Sequence, residues 1–303
     1  MHGREVGAIR SALSREEWTG SMISLLIDGR PTNCLDPLDR GFQYGDGVFS
    51  TLPVHAGVPL FLDRHLDRLR RDALRLGIPF PSRSDLMTDI STLLSHRQAG
   101  ILKIQITRGS GGRGYRPPEH PTAMRVIALH PPVTYPEEHA VHGIEARYCE
   151  IRLGLNPALA GIKHMNRLEQ VLARSEWSDP SIVEGLMLDY DGHVIEGTMS
   201  NVFVVSKGCI LTPRLDRCGV NGVMRSLVLE AAGDLGWPLE EARLTPDGVA
   251  AAEEVFLTNS VIGLWPVRDI EGQRFTIGKA TRKIGEWLRY KTRQAGRSGS
   301  SVG

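Results

Sequence analysis

Three short segments carry side chains whose types and order could do chemistry together. Gly161-Ile162-Lys163-His164-Met165-Asn166-Arg167 sets a lysine after small and apolar residues, just ahead of a helix-like stretch. A lysine partly withdrawn from water has a lowered pKa and can condense with an aldehyde. Most lysines at helix starts are simply solvated, so Lys163 alone decides little. Glu196-Gly197-Thr198-Met199-Ser200-Asn201 puts an acid at a strand end, then small residues, then a strand. Asn221-Gly222-Val223-Met224 puts a turn before a helix, where free backbone N–H groups suit a phosphate. Each of these also reads as an ordinary turn or cap. Together they offer a lysine for an aldehyde, an acid for a ring nitrogen and a helix start for a phosphate, which is what pyridoxal 5'-phosphate needs.

A fourth segment, Gly109-Ser110-Gly111-Gly112-Arg113-Gly114, matches GxGxxG and follows a strand-like run. A dinucleotide site also needs a helix starting in the glycines, and Pro117-Pro118 block one. A glycine loop carrying Arg108, Arg113 and Tyr115 fits better, either as a plain surface connection or as a clamp for a carboxylate. There is no GxSxG and no HExxH. His139 and His142 lack partners at ligand spacing, so no metal site is expected.

The elements that would position these segments alternate between strands and helices. Leu62, Leu66, Leu69, Ala73 and Leu76 predict an amphipathic helix over 62–76, stopped by Gly77 and Pro79. A second helix is expected at 85–95, and strands at 101–107 and 124–129. The Pro-rich, charged stretch 133–143 reads as a linker between two domains. Beyond it come a helix at 166–176, strands at 184–189 and 193–195, and a hairpin of 201–205 with 209–212. A helix at 223–235, a strand at 253–258 and a last helix at 278–291 follow. The expected class is α/β or α+β. The layout is an extension at 1–21, a small domain at 22–132, the linker, a large domain at 144–292 and a flexible tail at 293–303.

Composition sets the outer bounds. At about 150 residues per domain, 303 residues suggest two domains. With 36 basic and 35 acidic residues the net charge is +1, so no global field attracts nucleic acid or an anionic membrane. No apolar run reaches the roughly 18 residues of a membrane helix, and the first residues lack a signal-peptide pattern. Cysteines at 34, 149, 209 and 218 form no CxxC pair, which fits free thiols in a reducing cytoplasm.

At these residues the chain resembles the fold-type IV pyridoxal-phosphate enzymes, which include branched-chain and D-amino-acid aminotransferases and aminodeoxychorismate lyases. The likeness runs from about Met22 to Leu288. Asp39-Arg40-Gly41-Phe42-Gln43-Tyr44-Gly45-Asp46-Gly47-Val48-Phe49 resembles the family's N-terminal signature. Arg108–Tyr115, Ala160–Gln170, Thr212–Asp216 and Gly219–Arg225 are most similar to the lyase branch. Several aminotransferases carry a tyrosine shortly after the lysine, where this chain has Asn166-Arg167-Leu168.

The resemblance implies a two-domain α/β (α+β) fold with the cofactor between a smaller N-terminal and a larger C-terminal lobe. It implies that Lys163 holds the cofactor aldehyde and shuttles protons, and that Glu196 pairs with the ring nitrogen. It assigns Arg68, Val223, Met224, Asn259 and Ser260 to the phosphate. Helical geometry alone does not single out Arg68 among Arg64, Arg70, Arg71 and Arg75. The implied substrate is a small molecule, 4-amino-4-deoxychorismate, cleaved to 4-aminobenzoate and pyruvate. Its carboxylates are assigned to Arg113 and Arg167, with Arg108 a lesser candidate. A homodimer is implied as well. The alternatives are a D- or branched-chain aminotransferase, and a protein that keeps the pocket without turnover.

Overall fold

The computed structural model describes residues 24–298; the expected extension at 1–21 lies outside them. Two sheets build the molecule. The first has six strands in the order Arg30–Pro31, Ser24–Ile27, Met124–His130, Ala99–Thr107, Gly47–His55 and Val58–Pro59. Every pairing in it is antiparallel. The helices Leu62–Arg75 and Arg83–Leu94 pack on this sheet, because their apolar stripes need a partner face. Leu52, Leu102, Ile104 and Ile127 from strands meet Leu69 and Leu86 from helices in one core.

The second sheet has nine strands. Its main path runs Leu239–Ala242, Cys209–Pro213, Asn201–Ser206, Glu254–Asn259, Gly263–Ile270, Ile144–Leu153, Ile182–Asp189 and Val194–Gly197. Ile144–Leu153 pairs parallel on both sides. The helices Val223–Asp234 and Lys279–Ser298 cover part of it around the stacked rings of Phe203 and Phe256.

Several features depart from the sequence expectations, among them the strand Ile144–Leu153. The strand Gly47–His55, central to the site, was not separately expected. The Pro-rich stretch is not loose, since it folds into the short helix Glu137–His142. That helix docks on the second sheet, with Tyr135 and His139 edge-on to Trp265. The final helix continues through Ser298 instead of fraying from 293. Its extra turns lean on the first lobe, where Gly296 faces Leu60 and His55. Tertiary contact sustains helix there despite the Gly/Ser-rich composition.

Candidate active site

Lys163 is placed by strand pairing between the lobes. Phe49 N donates to Lys163 O at 3.0 Å and Met165 N to Gly47 O at 2.9 Å. Val48 and His164 form an antiparallel bridge. The Lys163 segment thus adds to the open edge of Gly47–His55. Gly47 has to be glycine, because a Cβ would sit 2.6 Å from Met165 Sδ and 2.8 Å from Ile106 O. From the other side, buried Asp72 accepts the Lys163 N–H at 3.1 Å. The side chain then runs over the Phe49 ring, with Nζ 4.5 Å from its centre.

The amine enters a cavity of about 700 Å³ also lined by Arg68, Arg167, Glu196, Met224, Thr258 and Ser260. Burial, reinforced by the nearby guanidinium groups of Arg68 and Arg167, lowers the Lys163 pKa to about 7, against the opposing pull of Glu196 and Asp72. Glu196 is buried across the cavity and accepts the Val220 N–H at 2.7 Å. Burial raises its pKa, while Arg167, that N–H, Lys163 and Gln170 favour the carboxylate. Glu184 shapes the loop after Glu196. Its buried carboxylate accepts from Thr198 N at 3.1 Å, Thr198 Oγ1 at 2.5 Å and Ser200 Oγ at 2.8 Å.

Donors gather at one end of the cavity. Arg68 is buried on the Leu62–Arg75 helix, with Nη2 on Ser50 Oγ at 2.7 Å and Nε unpartnered. Burial lowers its pKa to about 10, still far above neutrality. The helix Val223–Asp234 begins here, capped by Gly222 without any side-chain hydrogen bond. Its first N–H groups have no partner within the helix. A Cβ at Gly222 would collide with Asn201 Oδ1, so glycine is needed at this start. Asn259 shapes the adjoining turn, with Oδ1 accepting from Val261 N at 2.8 Å and Ile262 N at 2.9 Å. Ser260 Oγ lies 3.2 Å from His65 Nε2. Thr258 Oγ1 is buried with no partner.

These residues fit pyridoxal phosphate on their own chemistry. An unpaired buried guanidinium nitrogen and an uncapped helix start suit a dianion. The low-pKa amine suits an aldehyde, and the buried carboxylate suits a protonated ring nitrogen.

The substrate arginines divide. Arg167 lines the cavity, with Nε on His164 O at 2.8 Å. Arg113 is exposed and lies outside the lining of its own chain's cavity. Arg108 does not face the cavity at all. Its fork grips Asp46 at 2.7 and 3.0 Å and the carbonyls of Leu76 and Gly77. That fork is taken up by the protein's own acceptors, which favours a structural role for Arg108. Arg40 joins the same carboxylate at 2.9 Å and also holds the carbonyls of Gly114 and Tyr115. Asp46→Ala would strand two buried guanidinium groups and should cost about 3–5 kcal/mol of stability. Urea titration checks this; a loss below about 1 kcal/mol would contradict the assignment.

The glycine loop opens no helix, in keeping with its two prolines. Asp189, Asp191 and His193 cluster at a hairpin turn outside the cavity. Asp189 Oδ1 caps the amides of residues 191 and 193, and Asp191 pairs with Arg217.

Sequence reasoning missed Ser50, His65, Phe49, Asp72 and Thr258. One signal was readable: His65, Arg68 and Asp72 fall at helical spacing on the apolar face of 62–76. Polar side chains buried on such a face need partners.

The amino-transferase class IV family profile matches residues 47–270. An aminodeoxychorismate lyase of Vibrio harveyi is 38% identical over 266 residues, 85% of this chain and 97% of its own. A D-alanine aminotransferase of Bacillus licheniformis is 32% identical, covering 84% of this chain and 90% of its own. The crystal structure of 4-amino-4-deoxychorismate lyase from Pseudomonas aeruginosa is 44% identical with a TM-score of 0.85. It covers 88% of this chain and 98% of its own.

Proposed function

The chain belongs to the class IV amino-transferase family, and from that premise we propose that it is a pyridoxal-phosphate-dependent lyase. It converts 4-amino-4-deoxychorismate to 4-aminobenzoate, a folate precursor, and pyruvate. The observation that carries the reading is the low-pKa amine of Lys163 inside a cavity that also holds Glu196 and Arg68. The aminotransferase likeness covers as much of the chain, but the 38% and 44% identity to lyases, against 32% to the D-alanine aminotransferase, favours this reaction over transamination.

When bound, pyridoxal phosphate would supply an aldehyde for the substrate amine and a protonated ring as a sink for the electron pair at the adjacent carbon. Glu196 keeps that ring nitrogen protonated. Arg68, the N–H groups of Val223 and Met224, and the turn at Asn259 and Ser260 hold the phosphate. Lys163, as the neutral amine, would remove the proton from the carbon bearing nitrogen. It then returns a proton to the departing enolpyruvyl group, which becomes pyruvate. The remaining ring is aromatic, and the two products sum to the substrate.

The protein acts as a homodimer in this reading. Leu35, Leu38, Phe42 and Tyr115 are exposed apolar residues, and Arg40 ties the 114–115 backbone to the helix bearing Phe42. A second copy covering them would bring exposed Arg113 to a neighbouring cavity, where it and Arg167 meet the substrate carboxylates. No described helix is long and apolar enough to cross a membrane, and the proposed setting is the cytoplasm.

The experiment is a single-turnover assay with aminodeoxychorismate and no added 2-oxo acid, run beside Arg113→Ala and light scattering. Pyruvate and 4-aminobenzoate in equal amounts support the lyase. A cofactor spectrum that answers only D-alanine or leucine supports an aminotransferase, and no spectral answer supports an inert binder. Unchanged substrate affinity in Arg113→Ala removes that assignment, and a monomer removes the dimer.

The Lys163 pKa makes a separate prediction. Only the neutral amine attacks an aldehyde, so capture of pyridoxal phosphate by the apoprotein should speed up as pH rises through about 7 and then level off. A rate still climbing towards pH ~10 is the behaviour of an ordinary solvated lysine.

A further inference from the structure

A chain of hydrogen bonds crosses from one lobe to the other behind the phosphate end of the cavity, and its direction can be deduced. Arg68 has no acceptor, so its Nη2 donates to Ser50 Oγ at 2.7 Å. Ser50 has one proton, and its other partner is His65 Nδ1, also at 2.7 Å. If Nδ1 also donated, this buried proton would have no acceptor among the described residues, so it goes to Nδ1, which is therefore the bare nitrogen. In a neutral imidazole the other nitrogen then carries the hydrogen. His65 Nε2 thus donates to Ser260 Oγ at 3.2 Å. Ser260 Oγ accepts, and its own proton remains for an acceptor in the cavity that the residue lines. His65 is fully buried; burial, with Arg68 and Lys163 nearby, holds its pKa well below the ordinary value, consistent with a neutral ring.

We propose that His65 is a positioning residue, fixed as the Nε2–H tautomer, which turns the Ser260 hydroxyl outward as a donor to the phosphate bound between Ser260 and Arg68. The inference rests on the reading of the cavity as a pyridoxal-phosphate site. It gives the histidine a role at a distance, through Ser260. It also makes the phosphate cup one unit, because Arg68 and Ser260 come from different lobes yet share a polarised line of protons.

The test uses dissociation constants for pyridoxal phosphate measured on the apoproteins by cofactor absorbance, with ¹⁵N NMR of histidine-labelled holoprotein. His65→Phe keeps the ring volume and removes both hydrogen bonds, so affinity should weaken roughly tenfold or more. His65→Gln can place an amide N–H near the Nε2 position and should stay within about threefold of wild type. The double variant His65→Phe/Ser260→Ala should bind no more weakly than Ser260→Ala alone, since the histidine acts through that hydroxyl. The His65 signals, identified by their loss in His65→Gln, should show an unprotonated Nδ1 and a protonated Nε2. Additive losses in the double variant, a failed glutamine rescue or the Nδ1–H tautomer would each overturn the proposal. If His65→Phe does not fold, the tautomer and the glutamine variant still decide. A wild-type apoprotein that takes up no pyridoxal phosphate overturns the cofactor reading and this inference with it. Normal uptake with an unchanged His65→Phe overturns this inference alone.

Discussion

Lys163→Ala should lower single-turnover formation of 4-aminobenzoate by roughly 10⁴-fold or more, because in the proposed reaction one side chain takes the substrate proton and returns one to the leaving group. Arg68 and Arg167 both act against a charge on this amine, so its removal relieves repulsion in the cavity. The variant should therefore fold normally, and its melting temperature separates a chemical loss from a structural one. A small primary amine added to the solution should restore part of the rate. Residual activity within about a hundredfold of wild type would mean that another group moves the proton.

Glu196→Gln should carry the second largest loss, roughly 10²–10³-fold in turnover. The substitution keeps the shape of the side chain and a partner for the Val220 N–H, which now meets the carboxylate at 2.7 Å. What it removes is the negative charge that, in the proposed reaction, holds a proton on the cofactor ring. Without that proton the ring accepts electrons poorly, so the step begun by Lys163 slows while binding changes little. A measured loss in cofactor affinity with unchanged turnover would assign Glu196 to anchoring alone.

The parts of the site carried by contiguous residues were the readable ones. Lys163, Glu196 and the Gly222–Met224 turn announce themselves by local chemistry and by resemblance. Periodicity found the Leu62–Arg75 helix within a residue at its C-terminal end but could not choose among its arginines. The choice falls on Arg68 because it lines the cavity, whereas Arg64 pairs with Glu230 and Arg75 holds the carbonyls of Ala158 and Ala160. Arg108 misled because the neighbouring glycines suggest an open clamp, whereas its partner Asp46 lies 62 residues away in sequence. The strand Gly47–His55 was obscured by a leading glycine and by Pro53, both poor strand residues. Ile144–Leu153 was obscured by Glu145, Arg147, Glu150 and Arg152, which break the apolar run usual for a strand paired parallel on both sides. His65 and Ser260, 195 residues apart, have no local signal of their meeting.

The bridge between Val48 and His164 also bears on how the chain matures. It joins distant stretches, and such contacts form only after local ones have covered the entropy of closing the intervening chain. Lys163 therefore reaches its place only once its segment has met the strand Gly47–His55. A chain in which that pairing has not formed lacks the placed amine, so pyridoxal phosphate should favour the finished protein. By mass action, cofactor at a hundred times its dissociation constant would add about 2.7 kcal/mol to the finished state alone. For the proposed holoenzyme, cofactor supply should therefore set how well each copy resists proteolysis, as well as how fast it works.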